Sequence, residues 1–315
     1  MADFNQIVGV LMPVSLLGAV LNWSTFYSIK KLPSFNHSFG LLAANQAFAD
    51  ALHSTVFLLY FCPMVILDQP LLKQYSHLCG YILLFSYEVS VSTHLAISLN
   101  RFISVWAPLF YESAFSVNAT KIFICILWLY NATSATILYE HFCHFYFDNS
   151  IGFLTFNNSD LCSFIGWYGD FLKNCFLVGI VMSLDVLTVY KVRRVTKKLD
   201  CGMTDATMKK FSRRDRRFLK QTLIQGFVFM LELLTYFFVP LYFSNHWAVF
   251  FGTSFAWVAV HVADGLIVVL CNPEIRRFLF LRGALKNFRA TTIRVSSIAM
   301  SQQPPLSQYQ PSQAE

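Results

Sequence analysis

Charged side chains are scarce in this sequence. Only 13% of its 315 residues are Asp, Glu, Lys or Arg, whereas 56% are hydrophobic and 33 residues are Phe. A soluble domain carries about 25% charged residues, and a water-soluble fold of this length would have nowhere to bury so much apolar surface. The composition therefore excludes an ordinary soluble domain and favours a lipid bilayer as the solvent.

Motifs that carry catalysis or bind metals are missing as well. The sequence has no Gly-x-Ser-x-Gly element, no Cys-x-x-Cys pair and no His/Cys cluster with zinc spacing. It also has no repeated halves with broken helices, which are typical of transporters. We therefore predict that the protein is not an enzyme and needs no cofactor or metal.

Seven apolar runs are long enough to cross a membrane as helices, for which about 20 residues suffice. The runs are apolar on all sides and about twice as long as a barrel strand. They predict an all-α membrane protein, a seven-transmembrane helix bundle with a short amphipathic helix after the seventh helix. The predicted spans are Ile7–Ile29, Phe39–Leu67, Leu78–Trp106, Ile122–Tyr139, Asn174–Tyr190, Leu219–Phe243 and Trp247–Cys271.

Lysine and arginine lie almost entirely on one side of these runs. Of the 24 basic residues, all but Lys73 and Lys173 fall at or beyond the same ends of the helices, and the side rich in Lys and Arg is normally cytoplasmic. We therefore predict a multi-pass plasma-membrane protein with its N-terminus outside. The net charge of +7 lies in short blocks, so its partners are expected to be lipid head groups and a cytoplasmic protein rather than nucleic acid.

Two regions follow from the composition. Residues 1–283 form the predicted seven-helix domain. Residues 284–315 are rich in Ser, Gln, Thr and Pro and lack apolar periodicity, so they are predicted to be a disordered cytoplasmic tail.

Polar residues and prolines inside the apolar runs carry a recognisable pattern. Polar groups are costly in lipid and are therefore candidates for function. The chain has one or more such elements in most helices, in a fixed order: Asn22, Asp50, Asn100-Arg101-Phe102, Trp128, Pro240 and Asn272-Pro273. This set resembles the rhodopsin-like G-protein-coupled receptors over roughly residues 7–283.

Within that superfamily the chain looks most like the nematode serpentine chemoreceptors of class X. The segments that carry this resemblance are Ser98–Phe102, Phe218–Thr222, Gly226, Leu231–Phe238, Trp257–His261 and Asn272–Arg276. The resemblance implies a chemosensory receptor of sensory cilia. In such a receptor an extracellular small molecule shifts the helix bundle and activates a heterotrimeric G protein. The alternative is a ligand-gated odorant channel, which has the opposite topology, or a transporter.

The resemblance also implies roles for particular residues. Residues expected to contact the G protein or support that contact are Asn100, Arg101, Pro108, Tyr111 and Arg276. Residues expected to form a conformational switch, with a possible sodium site, are Asp50, Ser90, Pro240, Asn272 and Pro273. Asn100 and Lys220 stand where relatives often carry acids, so neither common ionic restraint on Arg101 is expected.

The ligand pocket is predicted in the outer half of the bundle, where its aromatic character suits a small organic molecule. Leu83 stands near where amine receptors carry an Asp, which argues against a monoamine. The candidate pocket residues are Tyr87, Glu88, Tyr242, Asn245, Trp257, His261 and Asp264.

Two covalent features are expected on the outer side. The resemblance implies a disulfide from Cys79 to the second outer loop, where Cys162 is favoured over Cys143. The alternative is a Cys143–Cys162 bridge that leaves Cys79 free. Of the Asn-x-Ser/Thr sequons, Asn157 alone falls in a predicted outer segment, so it is the predicted glycosylation site.

Overall fold

The computed structural model describes residues 4–199 and 205–280, with side chains placed over 6–195 and 220–280. Within these residues, seven helices are long and apolar enough to cross a membrane. They are α1 (Phe4–Lys31), α2 (Ser38–Ile66), α3 (Ser76–Trp106), α4 (Val117–Phe142), α5 (Asp160–Phe164, Ile165–Leu172 and Lys173–Leu199), α6 (Asp205–Tyr242) and α7 (His246–Cys271). The predicted seven-helix architecture is confirmed.

Helix α3 forms the centre of the bundle. Of its most apolar stretch, 72% is buried inside the protein, compared with 22% for the corresponding stretches of α4 and α5. A helix that is apolar all round but exposed in this way must meet lipid. The polar side chains that face the interior of the bundle therefore gather around α3.

Four of the helices contain π-helical turns, which often occur at functional sites. They lie at Phe57–Phe61 in α2, Thr136–Phe142 in α4, Ile165–Leu172 in α5 and Phe251–Phe255 in α7. All four are in the same half of the bundle. Short helices at Pro70–Gln74 and Pro108–Ala114 and a 3₁₀ turn at Pro33–Phe35 complete the connections.

A β-hairpin between α4 and α5 covers this half of the bundle. Strands β1 (Phe145–Asp148) and β2 (Phe153–Phe156) pair antiparallel with Phe145 opposite Phe156. The backbone N–H of Phe147 donates to Ser76 Oγ at 3.0 Å. A Cβ at position 80 would lie 2.0 Å from the Phe145 carbonyl oxygen, so only the glycine of α3 allows this approach. We call this the hairpin end and the opposite end the Arg101 end.

The disulfide links Cys143 to Cys162, with the two Cα atoms 5.3 Å apart. The favoured Cys79–Cys162 bridge was therefore wrong, and the alternative holds. Cys143 immediately precedes β1 and Cys162 lies in the first turn of α5, so the hairpin brings them together. Cys79 keeps a free thiol that is buried beside α2.

The fifth helix begins at Asp160 rather than at the predicted Asn174. Asp170 and Lys173 interrupted the apolar run in the sequence, but both form hydrogen bonds or ion pairs inside the bundle. The fourth and sixth helices also begin earlier than predicted, at Val117 and Asp205. Residues 273–280 form a further helix after α7, and the predicted tail lies outside the described residues.

Candidate functional site: a polar axis through the helix bundle

Arg101 is buried at the base of the bundle, where four helices meet. Its Nη1 donates to Thr222 Oγ1 of α6 at 2.9 Å. Its guanidinium lies 4.8 Å from the centre of the Phe39 ring of α2, a cation–π contact. The positive charge also attracts the carboxylate of Asp185 on α5.

Asp185 is the acid that sequence reasoning missed. Its Oδ1 accepts from Ser98 Oγ at 3.0 Å, and it also accepts from Thr222. Positions 100 and 220 carry no acid, as stated from the sequence, and the acid that attracts Arg101 comes instead from α5. The sequence signal that could have identified Asp185 is that it is the only charged residue in the predicted fifth run.

Asn100 anchors the connection that follows α3. Its Nδ2 donates to Ser38 Oγ at 3.1 Å, and Ser38 Oγ lies 2.7 Å from the Tyr111 hydroxyl. Tyr111 belongs to the short helix that begins at Pro108. Arg276 Nη1 donates to the Leu270 carbonyl at 3.1 Å, so it caps the end of α7.

Asn272 was predicted to lie with Asp50, but its hydrogen bonds go elsewhere. Its Nδ2 donates to Gln221 Oε1 of α6 at 3.0 Å and to the Val268 carbonyl at 2.7 Å. Pro273 begins the helical segment 273–280. Pro240 lies near the hairpin end of α6, two residues before the helix ends at Tyr242, so any kink it causes lies at that end of α6.

Asp50 lies at mid-bundle in a network of imidazoles and carboxylates. Ser90 Oγ donates to Asp50 Oδ1 at 2.9 Å, as the predicted pairing of these residues requires. The same oxygen lies 2.8 Å from His261 Nδ1. The Asn22 amide in α1 holds the His261 carbonyl at 2.9 Å.

A second acid–imidazole pair lies beside the first. Asp264 Oδ2 is 3.1 Å from His94 Nε2, and Gln46 Nε2 lies 3.1 Å from Asp264 Oδ2 and 2.6 Å from Ser90 Oγ. His53 stacks on His261 with ring centres 3.9 Å apart. We call these side chains the imidazole network: Gln46, Asp50, His53, Ser90, His94, His261 and Asp264.

The imidazole network supplies its own partners for both buried carboxylates. Buried charge is costly unless it is paired and hydrogen-bonded. His261 Nδ1 lies 2.8 Å from Asp50 Oδ1, where a sodium ion would need to bind. Asn272 is hydrogen-bonded to Gln221 of α6 instead of contributing to such a site. This geometry argues against the possible sodium site.

Three further carboxylates lie closer to the hairpin end. Glu88 of α3, Asp170 of α5 and Glu232 of α6 are each 5% exposed. Lys173 Nζ lies 2.5 Å from Glu88 Oε1, and the Tyr87 hydroxyl donates to Glu232 Oε2 at 3.1 Å. Asp170 and Glu232 were not predicted as site residues, although each is an acid in or next to an apolar run.

The predicted pocket residues divide into three groups. Glu88 is one of these carboxylates, Tyr87 donates to another, and Trp257 packs against Tyr87. His261 and Asp264 belong to the imidazole network. Tyr242 is 77% exposed at the end of α6. Asn245 caps α7, with its Oδ1 accepting from the Trp247 N–H at 2.9 Å. Neither residue contacts the carboxylates, and a role for Tyr242 or Asn245 in ligand binding stays a prediction.

Asn157 lies in the connection between β2 and α5. Its side chain is half-buried, and its backbone N–H donates to the His144 carbonyl at 3.1 Å. The position is at the hairpin end, where the sequon was expected. Glycosylation of Asn157 stays a prediction.

The structure is a seven-helix bundle with a buried arginine at one end and a β-hairpin at the other. The structure superposes on the crystal structure of squid rhodopsin with a TM-score of 0.71 and 15% identity, over 88% of this chain and 79% of that one. This similarity establishes the fold.

A family model described as the serpentine type 7TM GPCR chemoreceptor Srx matches residues 12–272. The chain therefore belongs to the Srx family, as the sequence motifs predicted. It is 29% identical to Serpentine receptor class X 45 of Caenorhabditis elegans over 84% of this chain and 78% of that protein. It is 26% identical to Serpentine receptor class X-43 of the same organism, over 91% and 89%. The protein is a multi-pass membrane receptor and not an enzyme.

Proposed function

We propose that this receptor binds an extracellular small molecule at the hairpin end and then activates a heterotrimeric G protein at the Arg101 end. The observation that carries the proposal is the buried contact of Arg101 with Thr222 of α6 at 2.9 Å. The gathering of basic residues at the other end supports an extracellular hairpin end. The plasma membrane of sensory cilia is the proposed location, because the family is one of chemoreceptors.

The contacts of Arg101 describe a closed state. Thr222 and Asp185 hold the guanidinium between α5 and α6, so a G protein cannot reach it. Outward movement of α6 would remove the Thr222 contact and release five guanidinium donors toward a partner. A ligand activates such a two-state bundle if it binds the open state more tightly.

Substitution of Arg101 tests the proposal. Cells that express the receptor and report calcium and cyclic nucleotides are first screened with a panel of small molecules. Arg101→Ala is expected to abolish the response to any activating compound. Arg101→Lys is the matched control, which retains the charge but not the planar fork, and should retain part of the response.

Surface expression decides how that result is interpreted. A tag fused to the N-terminus should be reached by antibody on intact cells for the wild type and both variants. An unchanged response in Arg101→Ala would overturn the proposal. A tag reached only after permeabilisation would instead favour the odorant-channel topology.

A further inference from the structure

Glu88, Asp170 and Glu232 form one electrostatic unit, which we call the carboxylate cluster. The three acids come from α3, α5 and α6, but Asn174 Nδ2 lies 3.3 Å from Glu88 Oε1 and 2.8 Å from Asp170 Oδ1, and Tyr87, the neighbour of Glu88 in sequence, donates to Glu232. Each side chain is almost fully buried. Convergence of acids from three helices is unexpected in a chain that carries so few charges.

The carboxylate cluster has more acidic than basic side chains. Within the described residues, Lys173 is the cation that faces it, and its Nζ lies 2.5 Å from Glu88 Oε1. Asp170 Oδ1 accepts from the neutral Asn174 amide at 2.8 Å, and Glu232 Oε2 accepts from Tyr87. A buried carboxylate without a cation is costly, so the cluster can accommodate a further positive charge.

One buried polar atom at the cluster lacks a hydrogen-bond partner among the described residues. It is Asn174 Oδ1, on an amide whose Nδ2 lies 2.8 Å from Asp170 Oδ1 and 3.3 Å from Glu88 Oε1. Asn174 is fully buried. An unpaired buried group of this kind requires an explanation, and it can accept a hydrogen bond from a donor-rich ligand.

Aromatic rings pack around Tyr87, which donates to Glu232 of the carboxylate cluster. Trp257 lies with its ring centre 6.0 Å from that of Tyr87 and 6.1 Å from that of Tyr236. Phe145 of the hairpin covers Trp257 at 5.7 Å. Aromatic faces attract cations and also bury the apolar part of a ligand.

We propose that the carboxylate cluster binds the ammonium group of a small organic amine. Its N–H groups would donate to Asp170, Glu232 and Asn174 Oδ1, and Trp257 would contact its apolar part. On the sequence, Leu83 argued against a monoamine because amine receptors carry an Asp near that position. Asp170 of α5 and Glu232 of α6 supply acids that can take its place. This proposal rests on the proposed function for the location of the ligand site.

Binding is tested apart from signalling. Full-length receptor in lipid nanodiscs is heated with 2-phenylethylamine, 2-phenylethanol or phenylacetate, and with hexylamine, hexanol or hexanoate. At least one amine should raise the unfolding temperature in a saturable manner, and should do so more than its alcohol or acid analogue. Equal effects within a set, an effect of the carboxylate alone, or no effect of either amine would overturn the proposal.

Variants locate the bound amine. Asp170→Asn and Glu232→Gln should each weaken amine binding by at least ten-fold. Lys173→Met should strengthen it several-fold, because a competing cation is removed. Lys121→Met is the control, because Lys121 lies in the first turns of α4 at the Arg101 end, and it should leave binding unchanged. Amine binding that survives both acid substitutions, or that Lys173→Met weakens, would contradict the assignment.

The outcomes separate this proposal from the receptor function. A receptor that binds amines but never activates a G protein would refute the function and leave the site in place. A receptor that signals in response to a carboxylate, with the response lost in Lys173→Met, would refute the amine and retain the function.

Discussion

The imidazole network and the carboxylate cluster are both buried in the same bundle, but they are balanced differently. In the imidazole network, Asp50 and Asp264 each face an imidazole, at 2.8 Å and 3.1 Å. In the carboxylate cluster, Lys173 pairs with Glu88, and Asp170 and Glu232 accept from the neutral side chains of Asn174 and Tyr87.

Buried polar atoms without a hydrogen-bond partner among the described residues occur in both regions: Gln46 Oε1, His53 Nε2 and His261 Nε2 in the imidazole network, and Asn174 Oδ1 in the carboxylate cluster. In the part of the chain that the structure describes, the first region has an imidazole for each carboxylate, whereas the second has one cation for three acids. Buried charge alone therefore does not mark a ligand site. The ratio of cationic to acidic side chains in each region is what separates them.

Tyr87 connects the two regions. Its hydroxyl donates to Glu232 in the carboxylate cluster, and its ring centre lies 6.0 Å from that of His261 in the imidazole network. Trp257 makes a similar connection, with its ring 4.8 Å from that of His53. A ligand that repositions either aromatic side chain would therefore act on the network beneath it.

The largest expected effect comes from removing an imidazole. His94→Leu leaves the buried Asp264 carboxylate without its 3.1 Å partner. Loss of one member of a buried charged pair destabilises a protein by about 3–5 kcal/mol. Thermal unfolding in nanodiscs should show this as a large fall in the midpoint temperature.

The matched variant in the other region is Glu232→Gln, which removes a charge from an acid-rich site and retains the volume of the side chain. Its unfolding midpoint without ligand should be unchanged or higher than that of the wild type. If both variants lost stability to the same degree, the contrast between the two regions would be false.

The disulfide should have the next largest effect. Replacing Cys143 and Cys162 together by Ser opens a loop with a sequence separation of 19, for which the expected loss is about 3 kcal/mol. The hairpin covers Trp257, so amine binding should weaken as well. Cys79→Ser serves as the comparison and should retain the Cys143–Cys162 bridge. Non-reducing peptide mapping shows which cysteines are paired, and loss of the bridge in Cys79→Ser would mean that Cys79 pairs with Cys162 after all.

A smaller effect is expected at the Arg101 end. Asp185→Asn removes the charge that attracts Arg101, which should favour the open state and raise agonist-independent signalling about five-fold, within the range of ordinary coupling energies. Asp185→Glu retains the charge and should signal nearly as the wild type does. Basal activity that is unchanged in Asp185→Asn would show that Thr222 alone restrains Arg101.

The sequence predicts the scaffold of this receptor far better than its interior. Runs of about 20 apolar residues are decisive for a transmembrane helix, so six of the seven spans were found nearly in place. The start of α5 was missed because Asp170 and Lys173 look unfavourable in lipid until their partners on other helices are known. Arg101 was singled out by its motif, but its contacts Asp185, Thr222 and Phe39 were not, because their roles depend on how α2, α5 and α6 pack against α3.

The pocket shows the same limit in more detail. Glu88 and Trp257 were predicted because they are polar or aromatic residues in the outer half. Asn245 has the same character but caps a helix, and Tyr242 points away from the bundle. Which face of a helix a residue occupies depends on helix rotation, and runs that are apolar on all sides carry little periodicity to predict it.

The smallest expected effect is that of sodium, and it separates the imidazole network from an ion site. Asp50 Oδ1 already lies close to Ser90 and His261, so exchanging sodium for potassium at constant ionic strength should leave the unfolding midpoint and basal signalling unchanged. Sodium-specific stabilisation that disappears in Asp50→Asn would show that the ion displaces His261. The imidazole network would then bind a cation, as the carboxylate cluster is proposed to do. The two regions would differ only in which cation each one binds.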